Sequence, residues 1–132
     1  MITFVDTNIL LDVFLPDPEF GDKSAEYLEK AFNEGSLIIN EIVYAELAPQ
    51  FNTQGLLDKT LSRLGIRIHS VDKESAYVAG IAWVQYKKAG GKRERILADF
   101  LIGAHAQIHA DRLLTRDRGF YKKYFKNLKI IS

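Results

Sequence analysis

The chain has no cysteine among its 132 residues. Disulfides and thiolate-bound metals are therefore excluded, and a reducing compartment suits it. No uninterrupted apolar run approaches the roughly 18 residues that a membrane-spanning helix needs. The first residues, Met1-Ile2-Thr3-Phe4-Val5-Asp6, lack the basic start of a secretory leader, and Asp6 and Asp12 interrupt the apolar stretch. A cytosolic protein is the expectation. Repeats, low-complexity tracts and linkers long enough to divide the chain are also missing, so residues 1–132 are expected to form one domain.

Several catalytic signatures are absent as well. No Gly-Lys-Ser/Thr follows Gly90-Gly91, which reads as a helix stop and not as a phosphate loop. No Ser occupies a Gly-x-Ser-x-Gly elbow. His105 and His109 have the spacing of a zinc-binding pair, yet Ala106-Gln107-Ile108 lacks the Glu of a zinc-protease helix, so a structural pair is expected. A phospho-accepting receiver domain would want an Asp after the third strand, where Ile68-His69-Ser70 supplies none before Asp72. A haloacid-dehalogenase phosphatase would want Asp-x-Asp after the first strand, and Asn8 takes the second position.

What is present is an alternation of short apolar strands and longer amphipathic helices, in a chain whose apolar share of 47% suffices for one core. Strands are expected at Ile2–Val5, Ser36–Ile39, Ile66–His69, Arg112–Thr115 and Lys129–Ile131. The first helix runs through Ile9–Phe14 until Pro16 and Pro18 stop it. A second covers Asp22–Phe32, with Ala25, Leu28 and Phe32 on one face. Asn40 caps a third through Glu41–Leu47, which Pro49 ends. Further helices are expected at Thr53–Leu64, Glu74–Lys88 (capped by Asp72), Ile96–Ala110 and Phe120–Phe125. Tyr77, Ile81, Trp83 and Val84 form an apolar set for the core or for a dimer interface. Strand–helix alternation predicts an α/β fold whose parallel sheet is covered on both faces. Chemistry in such sheets gathers beyond the carboxyl ends of the strands.

Asp6 follows the first strand directly, and Asp117 lies two residues beyond Thr115. Either alone would pass for a helix cap. Asp99 is harder to explain that way, because Ile96, Ile102, Gly103 and Ala106 surround it at helical spacing. A carboxylate there needs pairing, protonation or a metal, or it costs several kcal/mol. Gly103, one turn on, would admit another backbone or a ligand. Glu46 shares a face with Ile42 and Val43. Carboxylates gathered in one pocket repel, and a bound divalent cation makes the cluster tolerable. All-oxygen donors favour Mg²⁺ or Mn²⁺ over zinc.

These residues resemble the PIN-domain family in motif order and spacing over essentially the whole chain. The resemblance rests on Asp6-Thr7-Asn8, on Glu46 in Val43-Tyr44-Ala45-Glu46-Leu47, on Asp99 in Leu97-Ala98-Asp99-Phe100-Leu101-Ile102-Gly103-Ala104, and on Thr115-Arg116-Asp117-Arg118-Gly119-Phe120. Within the family the chain is most similar to the VapC-type ribonuclease toxins of type II toxin–antitoxin pairs. The resemblance implies a three-layer α/β/α sandwich with a mainly parallel sheet of four to five strands, and an endoribonuclease using one or two Mg²⁺ or Mn²⁺ ions. It also implies a homodimer and a cognate antitoxin.

By position, Asp6, Glu46, Asp99 and Asp117 would be the catalytic, metal-holding acids, with Asn8 and Thr115 supporting them. A PIN fold that binds RNA or protein without cutting, or one serving RNA processing or quality control, stays open beside the toxin reading.

The net charge of +1 conceals an asymmetry. Residues 1–86 hold 6 Lys/Arg against 13 Asp/Glu, whereas residues 87–132 hold 12 against 4. Arg116, Arg118, Lys122, Lys123 and Lys126 follow the last motif and are candidates to guide an RNA backbone. Lys92, Arg93 and Arg95 would guide RNA or meet an acidic antitoxin segment. Tyr121 and Tyr124 would stack on bases or pack the last helix.

Overall fold

The computed structural model describes residues 1–91 and 97–132. Lys92, Arg93, Arg95 and the expected helix start at Ile96 lie outside the described residues. Five strands form one sheet: β1 (Ile2–Val5), β2 (Ser36–Ile39), β3 (Ile66–Ile68), β4 (Arg112–Leu114) and β5 (Ile130–Ile131). Their order is β3-β2-β1-β4-β5, and every pairing is parallel. Consecutive residues Phe4 and Val5, and likewise Leu113 and Leu114, are fully buried. Because successive side chains point to opposite faces, both faces of the central strands are covered.

Seven helices do the covering: α1 (Thr7–Phe14), α2 (Gly21–Glu34), α3 (Glu41–Leu47), α4 (Gln54–Arg63), α5 (Lys73–Lys88), α6 (Leu97–His109) and α7 (Arg118–Tyr124). The chain steps from β1 to β2 to β3 through α1–α4, then crosses back beyond β1 to β4 through α5 and α6. α1 packs against α2 and α3, and α5 packs along α6. The reversal between β1 and β4 opens a crevice beyond their carboxyl ends. Asp6 and Thr115 stand on its two sides. No helix of the described residues is long and apolar enough to cross a membrane.

Local signals account for the helix starts. Asn40 Oδ1 accepts from the amides of Ile42 and Val43, both at 3.1 Å, and Thr53 Oγ1 accepts from Leu56 at 3.1 Å. Asp72 holds the cap position of α5 without a side-chain bond to that helix's backbone amides, and the Ser75 hydroxyl, foremost, lowers its pKa to about 2. Its carboxylate lies 3.0 Å from His109 Nε2.

Three expectations need correction. On α2 the inward face is Ser24, Leu28 and Ala31, while Ala25 is exposed and Phe32 is 52% exposed. Ser24 can go inside because its hydroxyl donates to Asp12 at 2.7 Å. On α5 the core reading of the apolar set fails for Tyr77, Ile81 and Val84, which face outward and leave the interface reading open, whereas Trp83 packs against the core and Ser75, Ala79 and Tyr86 are buried. Gly103 makes room for a side chain of this chain: a Cβ there would stand 2.3 Å from the ring of Phe125, which seats the end of α7 against α6.

Candidate metal centre

Asp6 leaves the sheet directly after β1 and caps α1, accepting the Thr7 amide at 2.7 Å through Oδ1. Its Oδ2 accepts the Thr115 hydroxyl at 2.7 Å and faces Asn8 Nδ2 at 3.4 Å. Thr115, immediately after β4, is fully buried, and its Oγ1 also accepts from the Asp117 amide at 3.0 Å and from Asn8 at 3.3 Å. One hydroxyl thus joins the ends of β1 and β4 and aims the loop bearing Asp117. Asn8 adds a second tie, its Oδ1 accepting the Arg116 amide at 3.2 Å. Glu46 arrives from α3 by another route. Its Oε1 accepts the Thr7 hydroxyl at 2.6 Å, so the residue after Asp6 holds it from 39 positions away.

Asp6 is only 5% exposed. Burial raises its carboxyl pKa from 3.8 to about 6, against the lowering effect of the Thr115 and Thr7 hydrogen bonds, and the negative charges of Asp99 and Glu46 raise it further. Those charges act on Asp6 because α6 and α3 bring them to the crevice. Tyr121, buried on α7, is within hydrogen-bonding reach of Asp6 and feels the charges of Asp99 and Asp117 as well. Burial foremost, then these anions, push that phenol far above its ordinary pKa, so it stays a neutral donor. Asp6 thus feels Asp99 and Glu46, Asp117 acts on neighbouring Tyr121, and Asn8 and Thr115 are hydrogen-bonded to Asp6.

Of the two readings offered for Tyr121, packing of the last helix is the one that holds, and its bond to Asp6 is what sequence reasoning missed. The residue is 1% exposed and presents no face on which a base could stack. The available signal was its place one helical turn after Asp117. Tyr124 is half-buried among the rings of Tyr86, Phe100 and Phe120. Thr7 was read only as part of a motif, although its hydroxyl fixes Glu46.

The basic candidates divide. Arg116 makes a two-pronged pair with buried Asp12, Nε at 2.7 Å and Nη2 at 3.0 Å, and stacks 4.1 Å over the Phe20 ring. Its cation serves the loop first. Arg118 donates to Ser132 Oγ at 3.2 Å. Lys122, Lys123 and Lys126 are exposed on and just beyond α7. The histidines lie apart from the acids. His105 Nε2 and His69 Nδ1 approach to 2.8 Å, and Asn40 Nδ2 reaches His105 Nδ1 at 3.2 Å. Because Asn40 Oδ1 is occupied by backbone amides, its NH₂ must face the ring, so His105 Nδ1 accepts and its Nε2–H donates to His69.

The donor chemistry suits a hard divalent cation. Carboxylates and hydroxyl oxygens line the crevice, and the charges of Asp99 and Glu46 on buried Asp6 call for a counter-ion. Among the described residues no three His, Cys, Asp or Glu side chains stand close enough together to hold a metal ion between them.

Comparison with known proteins agrees with this fold. The chain's fold is similar to VapBC2 from Rickettsia felis bound to a promoter DNA fragment, with TM-score 0.75 and 23% identity, covering 99% of this chain and 98% of that one. It is similar to FitAcB from Neisseria gonorrhoeae, with TM-score 0.71 and 22% identity over 100% and 97%. It is also similar to VapBC-1 from nontypeable Haemophilus influenzae, with TM-score 0.73 and 19% identity over 100% and 98%. No curated protein matches it. The model of the PIN domain family matches residues 3–126, from within β1 to just beyond α7, a span that holds every one of the four acids. The chain belongs to the PIN-domain family.

Proposed function

We propose that this chain is an endoribonuclease dependent on Mg²⁺ or Mn²⁺, and that it is the toxin of a toxin–antitoxin pair. The observation that carries the reading is the burial of Asp6 beside the charges of Asp99 and Glu46 at a sheet switch point. Asp6 and Asp99 would hold one ion, and Glu46 and Asp117 would complete its surroundings or hold a second. Bound there, a divalent cation supplies Lewis-acid activation of a water and neutralises charge on the phosphate. Thr115 and Asn8 keep the Asp6 carboxylate oriented, and Thr7 does the same for Glu46. Tyr121 closes the crevice floor to water and keeps its proton. Exposed Lys122, Lys123 and Arg118 stand beside Asp117 on α7, where they would draw in an RNA backbone.

A cognate antitoxin is supported by fold neighbours that are toxin–antitoxin assemblies, one of them described as a complex from Klebsiella pneumoniae. A homodimer is supported by the outward stripe of Tyr77, Ile81 and Val84 on α5, respectively 71%, 45% and 41% exposed. RNA as substrate sets the cytosol as its workplace.

The test is cleavage of a mixed-sequence RNA by purified protein with Mg²⁺ or Mn²⁺, with and without EDTA. Cutting that EDTA abolishes and Asp99→Asn reduces at least a hundredfold is expected. Cutting unaffected by both, or no cutting with either metal, would overturn the reading.

A further inference from the structure

We propose that the cavity between α1, α2 and the β4–α7 loop is a nucleobase subsite, which holds the base next to the phosphodiester at the acidic crevice. This deepens the ribonuclease reading and rests on it. The cavity has a volume of about 280 Å³ and is lined by Ile9, Phe20, Lys23, Ser24, Tyr27 and Arg116, with Ser132 at its rim. Two of its lining residues are chain neighbours of the candidate metal centre. Ile9 follows Asn8, which faces Asp6, and Arg116 lies between Thr115 and Asp117 with its amide on Asn8 Oδ1. A nucleotide whose phosphate meets the acids therefore has this recess within reach of its own ring.

Size and lining select the ligand. Pockets for drug-sized molecules run from about 300 to 1,000 Å³, and this one lies just below that range. A single flat heterocycle suits it. Ile9, Phe20 and Tyr27 supply apolar and aromatic walls, and every base offers a π face to such walls. Arg116 is held as a planar cation by its paired bonds to Asp12, which Ser24 anchors in turn at 2.7 Å. Its side chain still stays 35% exposed. A guanidinium already fixed over Phe20 loses little freedom when a base arrives, so stacking on it is favoured. Lys23, exposed on α2, places a mobile ammonium at the mouth, suited to a neighbouring phosphate. Polar and aromatic groups around a recess this small match a base better than they match an apolar peptide side chain.

The experiment is a titration of ¹⁵N-labelled protein, in Mg²⁺, with each of the four ribonucleoside 5′-monophosphates and with inorganic phosphate. Saturable amide shifts at Ile9, Ser24 and Tyr27, dependent on the base and absent with phosphate, are expected. Tyr27→Ala should weaken them about tenfold. Shifts confined to Asp6 and Thr115, or equal shifts with inorganic phosphate, would overturn the subsite, as would a cavity that answers only to an antitoxin peptide.

In cleavage assays, Tyr27→Ala should raise KM and relax base preference beside the cut about tenfold, and exposed Lys23→Gln should raise KM without changing base preference, both leaving kcat within twofold. An unchanged KM and cutting pattern in both variants overturns the proposal. If the wild type cuts no RNA, the ribonuclease reading fails, and the titration alone decides the subsite.

Discussion

Replacing Asp6 with Asn should stabilise the metal-free protein while disabling it. The folded protein holds the Asp6 proton up to about pH 6, whereas the unfolded chain releases it near 3.8. Each pKa unit corresponds to 1.36 kcal/mol, so ionising this buried group at neutral pH costs about 3 kcal/mol. Asn removes the charge and keeps the bond from the Thr7 amide. It also turns an NH₂ toward the Thr115 hydroxyl, which already accepts from Asn8 and Asp117 and now lacks an acceptor for its own proton. That mismatch costs about 1 kcal/mol. The net gain is about 1–2 kcal/mol, or roughly 3–8 °C in Tm for a domain of this size.

The sign with pH follows from linkage. Because the folded pKa is raised, the Asp6 contribution to stability is fully present below about pH 3.8 and is lost as pH rises through about 6. Wild type and Asp6→Asn should therefore change places over that window when melted in EDTA, with the variant ahead at pH 7.5 and behind by about 1 kcal/mol near pH 4. A variant no more stable than wild type at pH 7.5, with a parallel pH profile, would refute the reasoning.

Three other outcomes are expected. His105 is fully buried against His69 and His109, and burial, with their charges, lowers its pKa to about 4. Its contribution is present above about pH 6.5 and is lost as pH falls through about 4, so His105→Phe should flatten that acid limb in denaturant titrations at several pH values. Gly103→Ala should destabilise by about 1–3 kcal/mol despite alanine's better helix propensity, because the Phe125 ring is buried and cannot yield; thermal melts measure it, and an unchanged Tm would contradict the packing. Arg116→Ala should cost about 3 kcal/mol by leaving buried Asp12 with only the Ser24 hydroxyl, and Asp12→Asn/Arg116→Ala together should restore part of that loss in urea unfolding.

The strands and helices were legible because their boundaries carry strong chemistry: Asn40 and Thr53 cap, and Gly90, with φ +83°, stops a helix. Asp99 betrayed itself through its apolar neighbours. The pattern misled on α2, because a periodicity that counts Ser as outward cannot know that Asp12 receives its hydroxyl inside. It misled on α5, where small Ser75 and Ala79 face the interior and larger apolar residues face out. Contacts between distant positions were invisible for a plainer reason. The Arg116–Asp12 pair spans 104 positions, the Thr7–Glu46 bond 39 and the His69–His105 bond 36, and spacing along a chain says nothing about such encounters. Tyr121 belongs to the same class. Its role depends on a phenol meeting a carboxylate from the opposite end of the chain.

The most direct measurement is Mn²⁺ binding followed by electron paramagnetic resonance in wild type, Asp6→Asn and Asp99→Asn. Saturable binding in the wild type, weakened at least tenfold in both variants while each remains folded, is the predicted result. Equal Mn²⁺ affinity in all three proteins, or none in the wild type, would contradict a metal centre built from these carboxylates.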